Sequence, residues 1–281
     1  MKKTKLVAPV VKWVGGKRQL LPEIKKYIPA KFTTYYEPFI GGGAVLFELQ
    51  PKKAIINDVN TELINLYTVI KESPEEIIAE LKKHAQFSTD SDYFYKMREK
   101  DRNIIEYALM SNIEKAARIH YLNKTCYNGL FRVNKAGEFN APFGRYKNPD
   151  VVNEITIRAV SKYFNEANIE FRNTDFEEAL KGIRKGAFVY FDPPYDPVSD
   201  SANFTGYSKG GFDRSEQERL KKLCDELHKK GVRFLLSNSA TDYIKDLYKD
   251  YTIEIIKAKR AINSNGDSRG EIDEVLIRNY E

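Results

Sequence analysis

The stretch AFVYFDPPY, residues 187–195, decides how the rest of the chain is read. An apolar run of strand length ends at Asp192 and is stopped by two prolines, which fix their own φ and bring no backbone N–H. Apolar side chains at both odd and even positions are what a strand needs when helices cover both faces of a parallel sheet. Three other stretches share this form: AIIND ending at Asp58, IEFRNTD ending at Asp175, and RFLLSNS running through Asn238. Upstream of the last, Leu220, Leu223, Cys224 and Leu227 fall on one helical face after Ser215. Gly231 stops that helix, so a strand-helix-strand unit is complete. Ser73, Ser111 and Ser215 each stand three residues before a glutamate, the spacing of a capping box at a helix start. The fold class expected is α/β, with helices on both sides of a sheet.

The segment from Thr61 to Tyr163 differs. Helical patterns dominate it until NGLFRVNKAGEFNAPFGRYKNP, residues 128–149, which is rich in glycine, proline, asparagine and aromatics. We read residues 61–163 as an inserted, mainly helical domain, with a hairpin turning near Lys135 to Gly137. Residues 1–60 and 164–281 form the sheet domain. A second hairpin is expected near the end, where YTIEIIKAKR and EVLIRNY flank AINSNGDSRGEID.

Composition sets the outer limits. With 281 residues, 42% hydrophobic and 31% charged, the chain can bury a large core and is too apolar for a disordered protein. Lys+Arg 46 against Asp+Glu 40 gives a net charge of +6, which permits a polyanionic partner. Cys126 and Cys224 lie far apart with no CxxC and no ligand-spaced histidine, so neither a disulfide framework nor a zinc site is expected. Pro9 and Lys12 interrupt the first apolar stretch before it reaches signal-peptide length, and no run approaches a membrane span. The expected location is cytoplasmic.

Two motifs carry chemistry. In YYEPFIGGGAVLFEL, residues 35–49, a strand runs into Gly41, Gly42 and Gly43 and then into a helix, an arrangement that allows a ligand close to the backbone or simply makes a tight connection. Asp58, ending the next strand, is placed to accept hydrogen bonds from ribose hydroxyls. Leu46 stands where a dinucleotide fingerprint needs its third small residue, and no Gly-Lys-Ser/Thr follows, so a nucleoside cofactor without pyrophosphate fits better. The second motif is Asp192-Pro193-Pro194-Tyr195. Its rigid turn offers the Asp192 carboxylate and the Pro193 carbonyl as two acceptors, matching the two hydrogens of one amino group. Accepting both draws an exocyclic nitrogen toward a tetrahedral, nucleophilic geometry, and Tyr195 is available to stack on the base.

These motifs, in this order, resemble the Dam-like DNA adenine methyltransferases. The likeness covers nearly the whole chain: KWVGGK at 12–17, EPFIGGG at 37–43, NDVN around Asp58, NGL and GEFNAPFGRYK between 128 and 147, DPPY, ANFTGY at 202–207, SNS at 237–239 and SNGDSRGEIDEVL. The resemblance implies a Rossmann-like S-adenosylmethionine-dependent methyltransferase fold with a mixed sheet and an inserted DNA-recognition domain. It implies Trp13, Lys17, Glu37, Pro38, Phe39, Gly41, Gly43, Asp58 and Asp192 as cofactor-binding positions, with Asp175 and Phe176 where the family holds the cofactor's adenine. Catalysis falls to Asp192, Pro193, Pro194 and Tyr195. Arg132, Asn134, Lys135, Arg145, Tyr146, Lys147, Arg260, Asn265 and Arg269 are the DNA-binding candidates, together with Lys259, because phosphate contacts supply most non-specific affinity. Some relatives carry a base-reading arginine just before GEFN, where this chain has Ala136, so the recognised sequence does not follow from the resemblance, and GATC, the family's common site, is only the first to test.

The resulting expectation is direct methyl transfer to an adenine flipped out of duplex DNA, without a metal and without a covalent enzyme intermediate. The product cofactor would be S-adenosylhomocysteine, the state a monomer or weak dimer, and a restriction endonuclease a functional companion. Amino-cytosine enzymes usually begin the tetrapeptide with serine, which favours adenine. An NAD-dependent oxidoreductase is disfavoured by Leu46, and a non-catalytic DNA-binding relative would have lost the cofactor or DPPY residues that this chain keeps.

Overall fold

In the computed structural model, residues 3–13, 15–134, 136–198, 211–259 and 271–281 are described. Seven strands make one mixed sheet: β1 (Tyr35–Glu37), β2 (Lys53–Asn57), β3 (Asn168–Arg172), β4 (Phe188–Phe191), β5 (Arg233–Ser239), β6 (Thr252–Lys259) and β7 (Glu271–Arg278). Their order is β3-β2-β1-β4-β5-β7-β6. The first five are parallel, and β7 enters antiparallel between β5 and β6, opposing Leu236 with Ile277 and Ile255 with Val275. This is the mixed Rossmann-like sheet of the methyltransferases.

The double-sided apolar runs serve two cores. Phe188 and Tyr190 of β4 join the cluster on one face, with Tyr35, Ala54 and Leu235; Val189 and Phe191 join the cluster on the other, with Phe234 and Leu236. Side chains two apart share a face, so every position of the run is buried.

Helices α1 (Leu21–Tyr27), α2 (Ala44–Leu49), α3 (Thr61–Glu72), α4 (Pro74–Ala85), α5 (Ser91–Glu99), α6 (Ile104–Leu109), α7 (Asn112–Thr125) and α8 (Glu154–Glu166) precede β3; α9 (Phe176–Ala179), α10 (Arg214–Lys229) and α11 (Asp242–Leu247) follow it. Leu66 and Tyr67 of α3, Ile77 and Leu81 of α4, Tyr121 of α7 and Phe164 of α8 lie in the same buried cluster as the first sheet face. Leu220, Cys224 and Leu227 of α10 and Ile244 of α11 cover the second face.

Of the three capping boxes read from the sequence, one forms. Ser111 and Glu114 exchange both bonds at the start of α7. Ser73 makes no side-chain cap: its backbone already closes α3, and at φ −137°, ψ 55° it lacks the extended geometry that aims a cap hydroxyl at the N2 and N3 amides. At α10 the cap is Asp213, whose carboxylate accepts from the Ser215 and Glu216 amides at 2.9 and 3.2 Å, so Ser215 lies inside the helix. The acid two residues earlier wins because its charge strengthens both bonds at the helix N-terminus.

Candidate active site

In the strand order, β1 is flanked by β2 on one side and β4 on the other, so the connections run outward in both directions from the β1/β4 boundary. The carboxyl ends of strands at such a switch point leave a crevice, the usual ligand site of open α/β sheets. Here those ends carry Glu37 and Asp192. Glu37 is buried, accepts the Tyr35 hydroxyl at 2.7 Å, and has its carboxyl pKa driven well up, first by burial and further by the Asp192 charge. Asp192 keeps 21% of its side chain exposed and forms an ion pair with Lys17, Nζ to Oδ1 2.8 Å. Burial pushes its pKa up to about 6, with Lys17 pulling the other way and Glu274 adding to the rise. Lys17 is only 5% exposed; its ammonium also donates to the Gly15 carbonyl and lies 4.6 Å from the Tyr195 ring centroid.

The glycines admit a side chain. A Cβ at Gly41, where φ is +45°, would lie 2.7 Å from Trp13 Cδ1, and one at Gly42 3.1 Å from Trp13 Cβ. The indole thus lies directly on this turn, and its other neighbour is Phe131 of the inserted segment, stacked at 4.7 Å. Gly43, at φ +68°, begins α2 against Phe47. The Gly41 amide donates to Asp58 Oδ2 at 3.0 Å and the Asn60 amide to Asp58 Oδ1 at 2.9 Å, which fixes that carboxylate with one bond on each oxygen. Burial raises its pKa to about 6 against these two bonds. Phe39, Phe176 and Phe212 form a ring cluster with centroid separations of 5.4 to 6.0 Å. Asp175 is exposed, caps α9 and pairs with Arg219, whose guanidinium covers Phe176 at 4.3 Å.

Several residues that build this site did not stand out in the sequence. Asn57, buried at the end of β2, donates to the Pro38 carbonyl at 3.0 Å and the Thr174 carbonyl at 2.9 Å, and accepts the Thr174 amide at 2.9 Å. It ties the ends of β1, β2 and the loop after β3 together. Glu274 of β7 accepts the Tyr195 hydroxyl at 2.8 Å. Gln217 of α10 donates to the Pro194 carbonyl. Asn57 lies in NDVN and Glu274 in SNGDSRGEIDEVL, stretches that the resemblance covers without giving either residue a role, and Gln217 stands three residues before Leu220, on the apolar face of α10.

In the inserted segment, Arg132 is bound to Asn140 through Nε at 2.7 Å and Nη2 at 2.9 Å, and Asn134 closes the turn by accepting the Ala136 and Glu138 amides. A short antiparallel pairing of Val133 with Phe139 gives the expected hairpin its stem. Phe139 is buried, its amide donating to Asp101, which also binds the buried Arg118. Arg145 and Lys147 are exposed, and the Tyr146 ring lies 5.5 Å from the Lys12 ammonium. Lys135, Arg260, Asn265 and Arg269 lie outside the described residues, as do ANFTGY and SNGDSRG.

Lys17, Asp58, Asp192 and the proline turn thus sit at one sheet edge, in a chain whose residues 13–262 match the D12 class N6 adenine-specific DNA methyltransferases. The chain belongs to that family. It is an adenine-specific DNA methyltransferase. The D12 class match takes in β1 to β6 and the segment between β2 and β3, and ends before β7. The Type II methyltransferase M1.LlaDCHI of Lactococcus lactis subsp. cremoris is 46% identical over 272 residues, covering 97% of this chain and 95% of that one. The Type II methyltransferase M.MjaIII of Methanocaldococcus jannaschii is 40% identical, covering 98% and 99%. The DNA adenine methylase of Escherichia coli K12 is 32% identical, covering 95% and 93%. Among the described residues no helix is long and apolar enough to cross a membrane, and no group of three or more His, Cys, Asp or Glu is placed to hold a metal ion.

Proposed function

We propose that this methyltransferase moves the methyl group of S-adenosylmethionine to the exocyclic amino nitrogen of an adenine flipped out of DNA, and that the Lys17-held Asp192 beside the proline turn is the observation that carries the reading. The crevice fits the cofactor by its donor set. Each Asp58 oxygen has lone pairs left over for ribose hydroxyls, and the half-buried Phe39, backed by the buried Phe176 and Phe212, offers aromatic surface to a purine. Lys17, Glu37, Pro38, Gly41, Gly43 and Trp13 complete its walls, with Asp175 at the rim. When bound, S-adenosylmethionine supplies an electrophilic methyl on a positively charged sulfur.

The chain's own part is positioning. Lys17 occupies Asp192 Oδ1 and leaves Oδ2 to accept one amino hydrogen; the Pro193 carbonyl accepts the other. Pro194 stiffens the turn, and Tyr195 stacks on the base. With its pKa near 6, the Asp192 carboxylate is ionised at neutral pH yet basic enough to hold, at Oδ2, the proton the methylated nitrogen releases. Flipping costs roughly a few kcal/mol, offset by stacking and by phosphate contacts from Arg132, Lys135, Arg145, Lys147, Lys259, Arg260 and Arg269. That segment, 61–163, is the DNA-recognition domain in this reading, and 1–60 with 164–281 the catalytic one. GATC is the site we propose to test first, and the Type II names of two relatives support a partnership with a restriction endonuclease.

The test is tritium transfer from S-adenosylmethionine to unmethylated duplexes of defined sequence, digested to nucleosides. The label should co-migrate with N6-methyldeoxyadenosine and depend on the site. Label in a cytosine derivative, or none above a no-enzyme control on any duplex, overturns the reading.

A further inference from the structure

The proline turn is braced from behind by side chains that arrive from remote parts of the chain. Gln217, 1% exposed in the first turn of α10, donates from Nε2 to the Pro194 carbonyl at 2.8 Å and accepts at Oε1 from Asn238 Nδ2 at 3.0 Å. Asn238, fully buried in β5, accepts at Oδ1 the amides of Asp196 and Ser239, at 3.1 and 2.8 Å. The Asp196 carbonyl takes the Ser239 hydroxyl at 2.6 Å, and its carboxylate binds Thr241 Oγ1 at 2.7 Å and Arg214 Nε at 3.2 Å. Both ends of each carboxamide are therefore committed. Turning Gln217 over would set its oxygen against a carbonyl and its NH2 against the NH2 of Asn238, so its orientation has one solution.

The two proline carbonyls are thereby made unequal. Pro194 has a donor, whereas among the described residues nothing donates to the Pro193 carbonyl. A flexible turn could offer either oxygen to a substrate; this one has a single backbone acceptor in reserve, next to the open Oδ2 of Asp192.

We infer that Gln217, with Asn238 behind it, is a positioning residue for methyl transfer. By saturating the Pro194 carbonyl and pinning the turn to β5, it selects the Pro193 carbonyl as the partner of Asp192 in holding the adenine amino group. The inference rests on the reading given under Proposed function.

It is tested in the full-length protein with Gln217→Glu, which puts an acceptor against the Pro194 carbonyl, and Gln217→Met, which removes donor and acceptor at similar volume. Single-turnover methylation, cofactor affinity, DNA affinity and 2-aminopurine fluorescence at the target position are measured on each, with melting temperature as the check of folding. The expected result is a methylation rate lowered about tenfold or more in Gln217→Glu, and less in Gln217→Met, with both affinities and the flipped-base fluorescence within about threefold of wild type. A wild-type rate in whichever variant melts normally overturns the role, and so does a rate loss fully matched by loss of cofactor or DNA binding, since that is a folding effect alone. Asp192→Ala is assayed alongside. If it still methylates, the underlying reading fails; if it is inert while the Gln217 variants keep the wild-type rate, only the positioning role fails.

Discussion

The turn at 192–196 and the loop at 126–147, which we propose meet the same DNA, are prepared in opposite ways. In the turn, Lys17 holds Asp192, Gln217 holds Pro194, Glu274 holds Tyr195 and Asn238 holds Asp196. In the loop, the backbone is secured by Asn134, Asp101 and the Thr125 carbonyl, but Arg145 and Lys147 are exposed and form no ion pair among the described residues. Where bonds are made or broken, the cost of ordering the groups is met during folding, so little is left for the reaction to meet. Where a polyanion is gripped, free cations are an advantage, because each releases a counterion only if it was not already neutralised.

That contrast can be broken, most sharply at Asp192. Asp192→Ala should lower the methylation rate by about a thousandfold or more while DNA retention stays within about threefold, measured by tritium transfer and filter binding. Retained methylation would mean the turn is scaffold and the contrast empty. Asp58→Ala should weaken cofactor binding by about 10- to 100-fold by calorimetry, since a buried acceptor is lost, with DNA retention again preserved. The third test is pH. Both carboxylates sit near 6, above the ordinary range, so acidification through that value converts them from acceptors into neutral groups and loosens Asp192 from Lys17. Catalytic efficiency should fall about tenfold per unit below pH 6, while an acid limb near 4 would show these groups to be unshifted.

Two smaller effects sharpen the boundary between the regions. Phe131 belongs to the loop but stacks on Trp13, which rests on the glycine turn. Phe131→Ala should therefore weaken cofactor binding about 2- to 10-fold, although the residue lies in the segment we propose for DNA recognition; unchanged affinity would separate the two sites. Smallest is Lys147→Ala, which should cost DNA affinity a few-fold, leave the rate on bound DNA unchanged and lessen the slope of log affinity against log salt by about 0.9.

What could be read in the sequence follows the same line. The strands at 53–57, 188–191 and 233–239 and the acid-proline turn are local patterns, set by apolar runs and by the geometry of proline itself. Ser111 was legible as a cap and Ser215 was not, because choosing between Ser215 and Asp213 depends on which residue has helical dihedrals, and spacing does not say. Asn57, Glu274 and Asn238 act on groups 42 to 117 residues away, a distance at which no pattern of spacing reports. The glycine run leaves two meanings open in the sequence, a close approach for a ligand or a tight connection, and only the structure shows that Trp13 packs on Gly41 and Gly42.

The carboxamide of Asn57 extends the hydrogen-bonded ladder one rung past the point where the strands stop. Thr174 is a loop residue by its place between β3 and α9, but its amide proton is held by that rung. On the clock of solvent deuterium it therefore belongs with the sheet, and the lip of the crevice opens only when the sheet itself does.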